Sequence, residues 1–338
     1  MAERRYLRDL GPAQLVQGVF AVQNCQLGQT RNGKPYIKCL LADRTGRRPG
    51  RMWNASEELF RQLPTDGFVW IEGETQPYQG ELQIIIRTIE PYEPTENELT
   101  HLLPSTSQDV DQMFAQVVRM LQTLEHPAIR ALAERYLEDG ELMRRFCQAP
   151  AAQNLHHACL GGLLEHTLSV MRLGEAVLPL YPQLNRDLVL FGLFLHDLGK
   201  CAELTWQRGL GYSEDGHLVG HVARGVIWLE EKARQCQQLD PPVTVPEPIL
   251  RVLHHIILSH HGQAEFGALK PPATPEALAV HLIDNTDAKL HMALSAAARG
   301  EDDPEAANDP FTQRVWALGN ARFYRPDPTT VPDTNNGT

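Results

Sequence analysis

Hydrophobicity changes its period near residue 92. Before that point apolar and β-branched residues come in short runs, at residues 15–22, 35–42, 68–73 and 82–89, separated by turn chemistry. Asn32-Gly33, Thr45-Gly46 and Gln79-Gly80 predict tight turns, and residues 55–63 predict one short helix between strands. About five strands and one helix in so short a segment predict a small β-barrel, an OB-fold first and an SH3-like barrel as the alternative. Residues 93–109, polar and marked by Pro94 and Pro104, read as a linker. Beyond them apolar positions recur at helical spacing over residues 110–124, 128–146, 155–178, 186–198, 215–237, 246–261 and 275–298. Residues 326–338 hold three prolines and almost nothing apolar, which predicts a flexible tail. The expected fold is multidomain α and β: a small barrel over residues 1–92, a linker over 93–109, an all-α domain over 110–325 and the tail over 326–338.

Composition agrees with two domains of ordinary size, since 338 residues of which 42% are hydrophobic can build real cores. The net charge of -11 argues against a chain that coats nucleic acid over its whole surface. The charge is uneven, however. Residues 1–92 carry 12 Lys/Arg against 10 Asp/Glu, a balance of +2, which leaves 19 against 32, or -13, for the rest. The six cysteines are scattered without a CxxC pair, so neither a zinc knuckle nor a disulfide framework is predicted. No apolar stretch approaches a membrane span, and no apolar segment follows Arg4, Arg5 and Arg8 as in a secretion signal. A reducing cytoplasm is the expected location. Trp206, Trp228 and Trp316 are expected in the helical core.

Ten of the 14 histidines lie between His156 and His261. His166, the adjacent pair His196-Asp197, His217, His221, the doublets His254-His255 and His260-His261, and Asp284 fall where helices can turn them to a common interior. Imidazole and carboxylate together suit manganese, iron, nickel, cobalt or zinc, whereas magnesium prefers more oxygen. His217 and His221 stand four apart, on one face if a single helix carries both. An adjacent His-Asp pair at a helix end can serve two sides of a site, and its carboxylate can bridge two cations. Two cations about 3.5–4 Å apart lower the pKa of water between them and neutralise a phosphorus under attack, which predicts phosphate-ester hydrolysis. Lys200, within a turn of the pair, is placed to meet the added negative charge. Asp287 and Lys289 read as a pair or a helix cap rather than as ligands.

This order resembles the HD-domain metal-dependent phosphohydrolases. In that superfamily a first histidine precedes an adjacent His-Asp pair and an aspartate closes the set, which here gives His166, His196, Asp197 and Asp284. The two-metal members add histidines that match His221 and His260, with His261 or His217 as alternatives. The resemblance implies two divalent ions, manganese first, with iron, cobalt, nickel, magnesium or zinc as alternatives.

Lys34-Pro35-Tyr36-Ile37, Asp43-Arg44-Thr45-Gly46 and Trp53-Asn54, followed by Gly216-His217-Leu218-Val219-Gly220-His221, Leu258-Ser259-His260-His261-Gly262, Asp284-Asn285-Thr286-Asp287-Ala288-Lys289 and Arg322-Phe323-Tyr324-Arg325-Pro326, resemble the YhaM-type 3'-5' exoribonucleases over roughly residues 12–326. The family implies release of nucleoside 5'-monophosphates from the 3' end of single-stranded RNA, with DNA as a further substrate. It also implies a homo-oligomer. Lys200, Asp197 and His196 are the candidate catalytic residues. His156 and His157 are candidate phosphate contacts.

Residues 28–53 hold Arg31, Lys34, Lys38, Arg44, Arg47, Arg48 and Arg51 with Asp43 the sole acid, and Tyr36 and Trp53 supply rings. Positive charge interleaved with aromatic platforms is how OB-folds hold single strands without reading much sequence. Two alternatives stand beside the exonuclease: the same site acting on small or cyclic nucleotides, and a non-catalytic RNA-binding protein.

Overall fold

The computed structural model describes residues 5–30, 32–78, 81–152, 159–206, 211–298 and 310–325. Alternating apolar residues close five strands into a barrel. Strand β1 (Leu15–Gln29) pairs antiparallel with β2 (Pro35–Asp43), which pairs with β3 (Gly46–Trp53). Helix α1 (Glu57–Gln62), capped by the Ser56 hydroxyl accepting from the Leu59 N–H at 3.1 Å, leads to β4 (Gly67–Tyr78) and β5 (Glu81–Pro91). A short parallel contact between β3 and β5 completes the closed order β1-β2-β3-β5-β4. This is the strand order of an OB barrel. Every second residue fills the interior, including Ile37, Leu41, Val69, Ile71 and Ile84, each fully buried. Such side chains stabilise by about 1.5–3 kcal/mol apiece.

The segment expected as a linker carries a helix, α2 (Glu96–Leu102). Seven residues are too few to show a period, but Thr95 and Glu98 form a capping box. Leu99, Leu102 and Leu103 then join Val19, Ala21, Ala42 and Phe68 of the barrel to the helical core, so the two parts share one continuous apolar cluster.

The helical part runs through α3 (Val110–Gln122), α4 (Pro127–Leu137), α5 (Gly140–Gln148), α6 (Gly162–Val177), α7 (Arg186–Leu195), α8 (Lys200–Glu203), the two-residue strands β6 (Leu204–Thr205) and β7 (Gly211–Tyr212), α9 (Glu214–Leu218), α10 (Gly220–Cys236), α11 (Glu247–Ser259) and α12 (Pro275–Ala298). Residues 188–195 of α7 are buried on every side, and the helix packs on α4, α6, α11 and α12.

Several helices differ from the sequence reading. Residues 128–146 form two helices because the Asp139 carboxylate accepts from the Leu142 N–H at 3.1 Å and starts α5. Residues 215–237 also form two, because Gly220 stands at φ +77° between them. The helix expected from residue 155 starts at Gly162 among the described residues, and residues 153–158, with His156 and His157, lie outside them. The turn at Gln79-Gly80 and the tail 326–338 also lie outside them. Trp206 is buried and Trp228 packs against the core, but Trp316 is 73% exposed in a short 3-10 turn that contributes nothing to it.

Candidate active site

Helix α7 ends inside the molecule, so the residues that follow it enter the interior. His196 and Asp197 are 0% and 3% exposed there. His166 arrives from the first turns of α6, His221 from the start of α10, His260 and His261 from the end of α11, and Asp284 from the middle of α12. These side chains form two groups, His166, His196 and Asp197 on one side and His221, His260 and His261 on the other, with ligand atoms inside each group within 4.8 Å of one another. Asp284 joins the first, its Oδ1 lying 3.2 Å from His166 Nε2 and 3.8 Å from His196 Nε2.

Asp197 stands between the groups. Its Oδ2 lies 3.8 Å from His166 Nε2 and 3.5 Å from His196 Nε2. Its Oδ1 lies 3.6 Å from His221 Nε2 and 3.5 Å from His260 Nε2. The doublet left open by sequence contributes both rings, since His221 Nε2 is 3.0 Å from His261 Nε2. His217 does not join. The break at Gly220 removes the four-residue helical spacing, and His217 sits exposed against the Tyr212 ring with centroids 5.5 Å apart.

The outer ring nitrogens are fixed by partners that turn the Nε2 atoms toward the centre. His196 Nδ1–H donates to the Leu193 carbonyl and His260 Nδ1–H to the Ile257 carbonyl, both at 2.8 Å. Carboxylates hold the other two: His166 Nδ1 meets Asp287 Oδ2 at 2.7 Å and His221 Nδ1 meets Glu203 Oε2 at 2.8 Å. Ser169 donates to Asp287 in turn. Asp287 is thus a support for His166, which its place three residues beyond Asp284 on the same helix face makes possible; Glu203 carried no signal in the sequence. Close packing seats His221, because any side chain at Gly199 would begin 2.1 Å from the His221 carbonyl oxygen.

Burial favours the neutral acid at Asp197, but the charges of Lys200 and the surrounding histidines together outweigh it and hold the carboxyl well below the usual range. Asp284 is held down in the same way by His166 and His196. Burial pulls His166 down, yet Asp284 and Asp287 overcome it and raise the imidazole to about 9. Lys200 Nζ donates to Asp197 Oδ2 at 2.7 Å, and that carboxylate raises its pKa against the effect of burial, so the ammonium stays charged. On the other side burial, with the nearby His260, pushes His261 down to about 2.

These residues fit a divalent cation on each side. Asp197 Oδ1 and His260 Nε2 are buried without a hydrogen-bond partner, a costly state that a cation would relieve. The facing Nε2 atoms of His166 and His196, 3.3 Å apart, can share at most one proton, and the mixed nitrogen and oxygen donors suit first-row divalent metals.

The basic run of the barrel divides. Register pairs Tyr36 with Trp53 and Lys38 with Arg51 on the outer face of β2 and β3, and the two rings lie 5.3 Å apart. The Arg51 guanidinium stands 5.0 Å over Tyr78 and 5.9 Å from Trp53. Lys34 and Arg47 are exposed. Arg44 departs from this face because its guanidinium covers the Tyr6 ring at 4.5 Å. Arg48 departs as well, being half-buried in register with the fully buried Leu41. Arg31 lies outside the described residues.

Residues 163–289 match the HD domain family, which implies a divalent metal. The chain is 32% identical over 330 residues, 96% of its own length and 99% of the relative's, to the 3'-5' exoribonuclease YhaM of Bacillus subtilis (strain 168). It is 33% identical over 309 residues, 90% of each chain, to the protein of that name from Geobacillus sp. (strain WCH70). One solved structure, the second OB-fold domain of replication protein A from Methanococcus maripaludis, aligns with 27% of this chain and 96% of its own at 18% identity and a TM-score of 0.21; the barrel's assignment rests on its strand order alone. Similarity to the YhaM proteins runs nearly end to end, and so the chain belongs to the YhaM family of 3'-5' exoribonucleases.

Proposed function

We propose that this chain is a metal-dependent 3'-5' exoribonuclease that shortens single-stranded RNA, with single-stranded DNA as a further substrate, and releases nucleoside 5'-monophosphates. Residues 1–92 bind the strand, residues 93–109 connect and residues 110–325 hydrolyse it. The observation that carries this reading is the position of Asp197, one carboxylate between two groups of histidines in a chain similar to YhaM proteins nearly end to end.

His166, His196, Asp197 and Asp284 would hold one cation, and His221, His260, His261 and Asp197 the other. Manganese is the first choice. When bound, the pair supplies water of lowered pKa and neutralises the phosphoryl oxygens. The protein's own groups do the rest. Asp287 and Glu203 fix the rings of His166 and His221, and the partly covered Lys200 ammonium keeps a positive charge at the edge of the site, where negative charge grows on the phosphoryl group. On the barrel, Lys38 and Arg51 meet phosphates while Tyr36, Trp53 and Tyr78 stack bases.

A homo-oligomer is supported by Leu278, Leu282, Leu290 and Leu294, which expose an apolar stripe along α12. The free cysteines among the described residues support a reducing cytoplasm. No helix of the described residues is long and apolar enough to cross a membrane.

Product chromatography after digestion of RNAs of graded length tests the activity. Nucleoside 5'-monophosphates, released faster from longer strands, are expected. Cleavage of mononucleotides or cyclic nucleotides at rates equal to or above those on RNA would replace this reading with the small-nucleotide one.

A further inference from the structure

The metal centre is buried at its middle and open at its edges. His166, His196, His260 and Asp197 are almost wholly buried. His221 and His261 of one group, and Asp284 of the other, are only partly covered. The His221–His261 edge is therefore one side from which substrate can reach the centre. The segments beside these two histidines carry exposed rings. Tyr212, on β7, is 46% exposed and lies against His217, whose helix ends three residues before His221. Its strand pairs with Leu204, next to the Glu203 that holds His221. Beyond His261 the chain folds back, with the Gln263 N–H donating to the His261 carbonyl at 2.9 Å. A side chain at Gly267 would start 3.7 Å from His261 Cδ2, and the preceding residue, Phe266, is 66% exposed.

Single exposed aromatics are ordinary, but here two separate segments, one beside each of the partly covered His221 and His261, carry one. Bases of a single strand have apolar faces that stack on such rings without regard to sequence. We propose that Tyr212 with His217, on one side, and Phe266, on the other, form a stacking rim that seats the 3'-terminal bases of single-stranded RNA, so that the last phosphodiester falls on the metal centre. Both rings stand on segments next to ligands of the site where the reacting phosphorus must lie, which favours a nucleic-acid strand over a protein partner. The proposal rests on the exonuclease reading and adds a seat for the base, where the metal ligands contact only the phosphate.

The test uses the full chain with manganese and two 5'-labelled RNAs that differ only in whether the 3'-terminal nucleotide bears its base. Wild type is expected to show a KM roughly tenfold higher on the abasic end. Phe266→Ala and Tyr212→Ala are expected to raise KM on intact RNA by a similar factor and to erase the penalty for the missing base, while Phe266→Trp restores it. A change that merely loosened the fold would depress both substrates alike. RNA shortened by every variant with the abasic penalty unchanged overturns this proposal alone, as does an altered sedimentation coefficient with KM unmoved, which would assign the rim to a second copy of the chain. RNA left intact by the wild type overturns the exonuclease reading and this proposal with it.

Discussion

Asp197 has imidazole nitrogens of His166, His196, His221 and His260 within 3.8 Å of its two oxygens and the Lys200 ammonium at 2.7 Å. At the scale of single residues this density of donors around one buried carboxylate is what the adjacent pair His196-Asp197 suggested, because a short helix-end dipeptide can face two ways. The residues that support the ligands were far less legible. Glu203 and Asp287 are ordinary acids among 42, and only the folded chain brings them to His221 and His166. Their roles can be separated by measurement. Glu203→Gln is expected to weaken manganese binding at the His221 side by roughly 10–100-fold while leaving the His166 side intact. Titration calorimetry with manganese alone would show one of two binding steps shifted; two unchanged steps would remove Glu203 from the account.

At the scale of elements, the fully buried α7 sets the depth of the site, and its unbroken apolar run was plain in the sequence. What sequence misjudged were breaks: a helix reads as continuous when apolar spacing continues, so the positive φ of Gly220 and the cap at Asp139 were invisible. The cap at Asp139 has a second job. Its Oδ2 accepts from the buried Lys232 ammonium at 2.8 Å. Burial pushes the Asp139 carboxyl up, but the Lys232 hydrogen bond and charge, with the Leu142 N–H, outweigh it and hold the carboxyl below its ordinary value. A depressed carboxyl is stabilising above its unfolded pKa, about 3.9, and that stability is lost as pH falls through the lower folded value. Asp139→Asn keeps a cap but removes the charge. The expected cost at pH 7 is about 2 kcal/mol, between the value of an exposed pair and that of a buried one, because Asp139 is 37% exposed. Thermal melts should show the gap between variant and wild type closing as pH falls below the unfolded value, about 3.9; a gap that persists in acid would mean packing, not charge, holds this corner.

Across the whole molecule, the opposite charge of the two parts agrees with a division of labour, a mildly basic barrel ahead of an acidic helical part whose centre binds cations. The sequence located the barrel and the rings of Tyr36 and Trp53, but a run of basic residues hides which of them stand beside those rings. Arg44 covers Tyr6 and Arg48 is half-buried, whereas Arg51 lies between Tyr78 and Trp53. Arg51→Ala should weaken RNA binding evenly across sequences and reduce the slope of log affinity against log salt by about one; an unchanged slope would place the strand elsewhere. The most direct test of the account joins both parts. Full-length protein with manganese is incubated with a 5'-labelled single-stranded RNA beside the double variant His196→Ala, Asp197→Ala. The account predicts a ladder shortening from the 3' end that the variant does not produce. RNA left intact by the wild type, or a ladder that survives in the variant, would contradict it.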